Sequence, residues 1–204
     1  TEISFAISEI KQENWNEKWE SNFKPVHINS RCVIRADFHD RLCDMEYDLI
    51  INPKMSFGTG HHETTLLMMN EMFEINFFER SILDVGSGTG ILSILASKLG
   101  GLSVVGVDVD KWAYKNAVEN ILSNKVSNIN LIYGDIYKIK ERKFDIILAN
   151  INRNVILQDI NSYVSFMNDN SEILLSGFFK EDISLILDKS EQIGLRLVCS
   201  KNNN

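Results

Sequence analysis

The sequence predicts an α/β protein in which a parallel sheet is covered by helices, and three observations predict it. Beyond residue 52, short apolar runs alternate with segments of helical spacing. A glycine-rich turn, Asp84-Val85-Gly86-Ser87-Gly88-Thr89-Gly90, joins one apolar run to one helical segment. Polar residues, Asp108, Asp135 and Asn150, close later apolar runs, where the crevice of such a sheet opens.

Along the chain, Asn14 to Phe23 has the spacing of a short amphipathic helix, with Trp15 and Trp19 four apart on one face and suited to packing onto the rest. Val26–Ile28, Cys32–Ala36 and Tyr47–Ile51 read as brief strands. Residues 1–52 are therefore expected to form a linker helix and a small β extension, and 53–204 the main domain. In that domain the pattern predicts a helix over 63–77, in which Leu66, Leu67, Met68, Met69 and Met72 are core. Strand 81–85, helix 90–99, strand 103–108 and helix 110–123 follow, the last capped by Asp110. Strands 129–133 and 144–150, helix 154–167, strand 171–176, helix 180–192 and strand 195–200 complete the series. The last strand stops at Lys201, before Asn202-Asn203-Asn204, and looks like an edge that invites an antiparallel partner. Since the chain also opens at Thr1 without an initiator methionine, it is expected to be a fragment.

Composition narrows the classes. A length of 204 residues, 44% apolar and 24% charged, suits one globular domain with a substantial core and a modest extension. No stretch approaches a membrane span, and Thr1 begins neither a secretory signal nor a basic transit segment. Cys32, Cys43 and Cys199 are too few and too scattered for a disulfide framework or a metal knuckle, so a reducing cytoplasm is the natural compartment. The net charge of -7, from 21 basic and 28 acidic residues, argues against a broad phosphate-binding face and for a cationic or neutral partner. Lys138, Lys140, Arg142 and Lys143 form too brief a basic run for nucleic-acid binding. With no obvious apolar surface stripe, a monomer is the default.

The glycine loop and the strand ends carry the chemistry. Gly86, Gly88 and Gly90 let the chain bend tightly, and their amides are expected to face a ligand at the positive end of the following helix. A dinucleotide fingerprint that starts at Gly86 requires a small residue at 91, where this chain has Ile91, so a pyrophosphate has little room. Asp108 lies 22 positions after Gly86, where a carboxylate accepts both hydroxyls of a ribose; a helix-capping role competes. Asp135 suits the amine of an adenine, although Gly134-Asp135 is also an ordinary turn, and Asn150 alone reads as a strand-end turn residue. The adjacent His61 and His62 lack the spacing of a zinc site and fit better as residues that line or cap the pocket.

One further stretch, Phe57-Gly58-Thr59-Gly60-His61-His62-Glu63-Thr64-Thr65, makes the pattern specific. Together with Asn14-Trp15-Asn16-Glu17-Lys18-Trp19, Phe23-Lys24-Pro25-Val26, Asn52-Pro53, Val107-Asp108-Val109-Asp110 and Ala149-Asn150-Ile151, it resembles the ribosomal protein methyltransferases called PrmA, which methylate amino groups of large-subunit protein L-eleven. The resemblance covers about residues 13 to 200. His61 stands where the family usually has Thr and Glu63 where it usually has Pro, while His62, Thr64 and Thr65 match. The family also carries a small amino-terminal α+β domain that grips the substrate, which the residues before Asn14 cannot build, so weak methylation is expected.

The resemblance implies a Rossmann-like class I methyltransferase sheet that lacks or does not show its last strand, with 53–204 as catalytic domain. It implies S-adenosylmethionine as cofactor, contacted by Thr65, Gly86, Asp108 and Asn150; Gly88 belongs to the same cradle and Asp135 to the adenine side. Asn150 is the expected catalytic residue, orienting the amine, and positioning rather than a metal or a triad is expected to lower the barrier. The acceptors implied are lysine side chains or the N-terminal amine of a large-subunit ribosomal protein, with no direct contact to nucleic acid. Three alternatives use the same pocket: a methyltransferase for another protein lysine or small amine, a nicotinamide oxidoreductase, and a non-catalytic cofactor-binding module.

Overall fold

Strand parity decides which residues meet. In a strand alternate side chains face opposite sides, so Ile82 and Asp84 share one face of their strand while Leu83 and Val85 share the other. The computed structural model describes residues 24–202 except 42, 43, 53, 55 and 141; the predicted helix 14–23, with Trp15 and Trp19, lies outside the described residues.

Five parallel strands form the main sheet: β4 (Ser81–Val85), β5 (Ser103–Asp108), β6 (Ile129–Tyr133), β7 (Phe144–Asn150) and β8 (Met167–Ser176). Their spatial order is β6-β5-β4-β7-β8, so chain direction across the sheet reverses between β4 and β7. In an open α/β sheet the ligand crevice lies at that reversal, beyond the carboxyl ends. On one face lie α1 (Glu63–Met72), α2 (Ile91–Lys98) and α3 (Lys111–Ser123), sharing a core with Ile82, Val104, Ile146 and Leu148. The opposite face is covered by α4 (Arg153–Ser165) and α5 (Ile183–Gln192), whose Ile156, Ile160, Tyr163 and Ile186 pack on Leu83, Val105, Val107 and Ile147. Both faces are buried, which is why these strands read as continuous apolar runs.

A second sheet consists of β1 (Val26–Ile28), β2 (Cys32–Arg35) and β3 (Tyr47–Ile50), with β1 antiparallel and β3 parallel to β2. Ile28, Cys32, Ile34, Leu49 and Ile51 bury into the same cluster as α1 and α2. Arg35 fastens the β2–β3 connection: its Nε and Nη2 donate to Asp48 at 2.8 and 2.9 Å, and its Nη1 to the carbonyls of Ala36 and His39. A ladder of asparagines on α3 then grips the chain leaving β3. Asn124 exchanges two hydrogen bonds with the Ile50 backbone, Asn120 accepts from Asn52 N at 3.0 Å, and Asn116 donates to Asn52 O at 3.1 Å. Residues spaced by four lie on one helix face, so α3 offers an extended segment a row of amides.

Several predicted boundaries move. The helix expected over 63–77 ends at Met72, because Asn76 accepts from Phe78 N at 3.1 Å in a local turn and Phe77 turns inward, 1% exposed. The predicted helix 180–192 divides into a 3-10 turn at Lys180–Asp182 and α5, and the segment 154–167 becomes α4 followed by an earlier start of β8. β8 enters the ladder at Met167, shifts register, and pairs regularly from Glu172 to Ser176 with Ile146 to Asn150. The strand expected at 195–200 does not form, so five main strands replace the six expected among the described residues. Gly194, at φ +87°, closes α5, and Lys201 and Cys199 attach to Glu71 at the end of α1 through side chains, without a backbone ladder.

Candidate active site

Parity and topology together bring three positions at or near strand ends to one crevice. Asp84, Asp108 and Asn150 lie an even number of residues from Ile82, Val104 and Leu148, hence on the face that carries α1 to α3. Asp108 is half-buried at the end of β5. Its Oδ2 accepts from Gly88 N at 2.8 Å and its Oδ1 from Asp110 N at 2.8 Å. A carboxylate has about four lone-pair sites, so two remain for a ligand. Asp110, as expected, caps α3, accepting from Trp112 N and Ala113 N.

The glycine loop departs from expectation. Gly86 N and Ser87 N donate to Val107 O, Gly88 N to Asp108, Thr89 N to Phe57 O and Gly90 N to Ser87 O. Its amides are thus satisfied within the protein and do not face a ligand. What glycine supplies is closeness. A Cβ on Gly88, at φ +55°, would stand 2.5 Å from Phe57 O, and one on Gly86 2.4 Å from Ile151 Cγ2. The loop is therefore packed between residues 57–58 and Asn150-Ile151, the two stretches that the sequence pattern joins to it.

The positive end of α2 is likewise occupied from within. Asp84 is 1% exposed, and its Oδ2 accepts from Ser93 N at 3.0 Å and Ser93 Oγ at 2.6 Å. Burial pushes its carboxyl up to about 6, with the Ser93 bonds opposing and nearby Asp108 adding to the rise. A group of that pKa is mostly ionised at neutral pH. A pyrophosphate brought to this helix end would meet Asp84 where a dinucleotide-binding helix offers bare amides, which disfavours the nicotinamide alternative. A cationic adenosyl ligand meets favourable charge instead. Sequence reasoning gave Asp84 no role; its position four residues before Gly88 was visible, but that its carboxylate turns towards Ser93 was not.

Thr65 and Asn150 are 85 residues apart and touch: Asn150 Nδ2 donates to Thr65 Oγ1 at 3.2 Å. Thr65 is fully buried on α1 and Asn150 is 8% exposed at the end of β7. Asn150 Oδ1 is buried and has no hydrogen-bond partner. Such an acceptor is costly unless something donates to it. Asp135, at the end of the loop after β6, is exposed and accepts from Tyr137 N at 3.1 Å, capping a short 3-10 turn as the competing reading allowed. His62 caps α1 through Thr64 N, with its ring 4.9 Å from the half-exposed Phe57 ring, and His61 Nε2 lies 3.2 Å from Lys24 O. A separate groove of about 280 Å³, lined by Lys54 and Ser56 and by Trp112, Lys115, Asn116 and Glu119 of α3, shares no residue with this set.

The family model described as ribosomal protein L11 methyltransferase (PrmA) matches residues 1–204. The chain is 44% identical to the ribosomal protein L11 methyltransferase of Phocaeicola vulgatus, over 100% of its own length and 73% of that protein's. Identity is also 44% with that of Porphyromonas gingivalis, over 97% of this chain and 69% of the other. Among solved structures, a ribosomal protein L11 methylase from Lactobacillus delbrueckii subsp. bulgaricus is similar with a TM-score of 0.79 at 26% identity, covering 88% of this chain and 93% of that one.

Proposed function

The chain belongs to the ribosomal protein L11 methyltransferase (PrmA) family, and from that premise we propose that it transfers methyl groups to amino groups of ribosomal protein L11, either lysine side chains or the N-terminal amine. It is an S-adenosylmethionine-dependent protein methyltransferase of the parallel α/β class. We further propose that it works in the cytoplasm, as a monomer and without contacting nucleic acid, in keeping with its net charge of -7. No described helix is long and apolar enough to cross a membrane.

The observation that carries the reading is Asn150 Oδ1, a buried acceptor without a partner at the strand end beside the glycine loop. When bound, S-adenosylmethionine supplies a methyl group already activated by its sulfonium. The residues here fit such a group, since Asp108 keeps lone pairs for hydroxyls, the buried carboxylate of Asp84 adds negative charge beside the loop, and Asn150 Oδ1 has no partner. Asp108 would accept the ribose hydroxyls with its remaining lone pairs, Asp135 the adenine amine, and Thr65 would lie near the methionine end. Gly86 and Gly88, which let the loop pack on Ile151 and Phe57, would border the ligand with their backbone. Asn150 Oδ1 would accept a hydrogen from the incoming amine and so aim the nitrogen lone pair, its own amide being held by Thr65. A lysine must enter neutral, its extra proton left in water, and most of the rate would come from alignment.

The test pairs a methylation assay on ribosomal protein L11 with calorimetric titration of S-adenosylmethionine, S-adenosylhomocysteine and NAD. The expected outcome is saturable binding of the first two, methyl transfer to L11, and for Asn150→Ala a loss of turnover of about 100-fold with cofactor affinity changed only a few-fold. Equal losses in both would reduce Asn150 to a cofactor contact. Binding without any methyl transfer, even with the family's amino-terminal substrate-gripping domain joined to the chain, would leave the non-catalytic alternative, and a preference for NAD would overturn the assignment.

A further inference from the structure

Asn150 stands at the end of β7, which lies between β4, carrying the glycine loop at its end, and β8. Its ladder partner on the β8 side is Ser176. If the donor occupies the β4 and β5 side, the acceptor has the β8 side by which to approach Asn150. The first residues beyond β8 are Gly177-Phe178-Phe179.

This loop is tied at both ends. Ile151 N donates to Ser176 O at 3.1 Å, and a Cβ on Gly177, at φ +92°, would stand 2.4 Å from Ile151 O, so the chain crosses directly over the residue after Asn150. Further on, Asp182 Oδ2 accepts from Phe179 N at 3.1 Å while its Oδ1 accepts from Arg153 Nη1 at 2.6 Å, joining the loop to the start of α4. Arg153 itself follows Asn150 by three residues, so both anchors belong to the segment that carries the unpartnered acceptor. Between them the Phe179 ring is 79% exposed. Single exposed phenylalanines are ordinary. Here the position carries the argument: a large apolar ring on a fixed backbone, three residues past the ladder partner of Asn150, with no bulk of the protein around it.

We propose that Phe179 is the wall along which the aliphatic stem of the acceptor lysine lies, delivering its amine to Asn150 Oδ1. This rests on the functional reading above. Lysine habitually lays its methylenes on apolar surface while its amine reaches on to a polar partner, and a ring held in place orders that stem before the methyl is transferred. The contact selects a long side-chain amine over a short one.

Steady-state methylation of ribosomal protein L11 by the wild type, Phe179→Ala and Phe179→Leu tests it, with S-adenosylmethionine affinity measured for each. Phe179→Ala should lower kcat/KM for the protein substrate by about tenfold, as expected for loss of one apolar wall, with cofactor affinity within about twofold and the melting temperature unchanged. Phe179→Leu should restore most of the loss, because a leucine still offers apolar surface. An active wild type whose Phe179→Ala variant keeps its kcat/KM within about twofold overturns the contact alone, as does a loss matched by an equal loss of cofactor affinity. A wild type that binds S-adenosylmethionine but leaves L11 unmethylated, even with the family's amino-terminal substrate-gripping domain joined to it, overturns the functional reading and this contact with it.

Discussion

Asp84 shows how much a single residue's surroundings change its chemistry. On the chain it is one acid before a glycine; in the fold it is a buried carboxylate bonded to Ser93, with its other oxygen lacking any partner. Its pKa rises from an ordinary 3.8 to about 6, chiefly by burial. The folded state therefore holds the proton more tightly than the unfolded chain does. The stability this group contributes is fullest below pH 3.8 and is lost as pH rises through about 6. The size of that loss is on the order of 3 kcal/mol. Asp84→Asn keeps an acceptor for Ser93 and removes the titration. Urea unfolding from pH 4 to 7 should show the wild type losing stability relative to the variant as pH rises, and parallel curves would refute the buried, raised carboxyl. Gly88 teaches a related lesson, because its residue type is demanded by the Phe57 carbonyl as much as by any ligand.

At the scale of elements, α3 does two jobs. One face packs Ala113, Ala117 and Ile121 into the domain, and another offers Asn116, Asn120 and Asn124 to residues 50–52 and to Thr89 O. The second job couples β3 to the glycine loop. Asn124→Ala would leave Ile50 N and O without their side-chain partner, at a cost of about 2–3 kcal/mol. Hydrogen exchange of the Ile50 amide should accelerate accordingly while exchange in β4 keeps pace with global stability. An unchanged Ile50 rate would mean that the ladder contributes little. Spacing by four was legible on the chain, but asparagines on a helix look like a solvated face until an extended strand is laid across them. The missing strand at 195–200 is the opposite case. Its apolar character invited a ladder, yet in the fold Leu197 and Val198 are exposed, Leu195 turns back onto the end of α5 through Ser190 O, and Cys199 and Lys201 reach Glu71 by their side chains.

For the molecule as a whole, the small sheet is not energetically separate. Ile28, Cys32, Ile34, Leu49 and Ile51 are buried in the cluster that also contains Met68, Met69, Met72 and Ile94. Removing that sheet would expose α1 and α2, so β1 to β3 and the main sheet should unfold together. Denaturant titration followed by far-ultraviolet circular dichroism and by hydrogen exchange in β2 should give one coincident transition. Early melting confined to β1–β3 would show instead an independent appendage. The division of the sheet into two buried faces has a functional side as well. It sets α1, with Thr65, against the face on which Asn150 ends, and so assembles the crevice from parts far apart in sequence.

By itself the sequence determined the class of fold and named most of the candidate site, because both are written in local signals. Apolar runs of strand length, helical spacing, a glycine turn and polar strand ends act over a few residues, and Gly86, Gly88, Asp108, Asp135 and Asn150 could be picked out on that ground. Thr65 came from the resemblance of its stretch to known methyltransferases. Only the tertiary structure decided what these groups bond to: that the loop amides are spent inside the protein, that Asp84 fills the positive end of α2, that Asp135 caps its own turn, and that Asn150 keeps one acceptor free against Thr65. Hydrogen bonds and burial join residues brought near by the sheet order β6-β5-β4-β7-β8, and such neighbours leave no mark on local spacing.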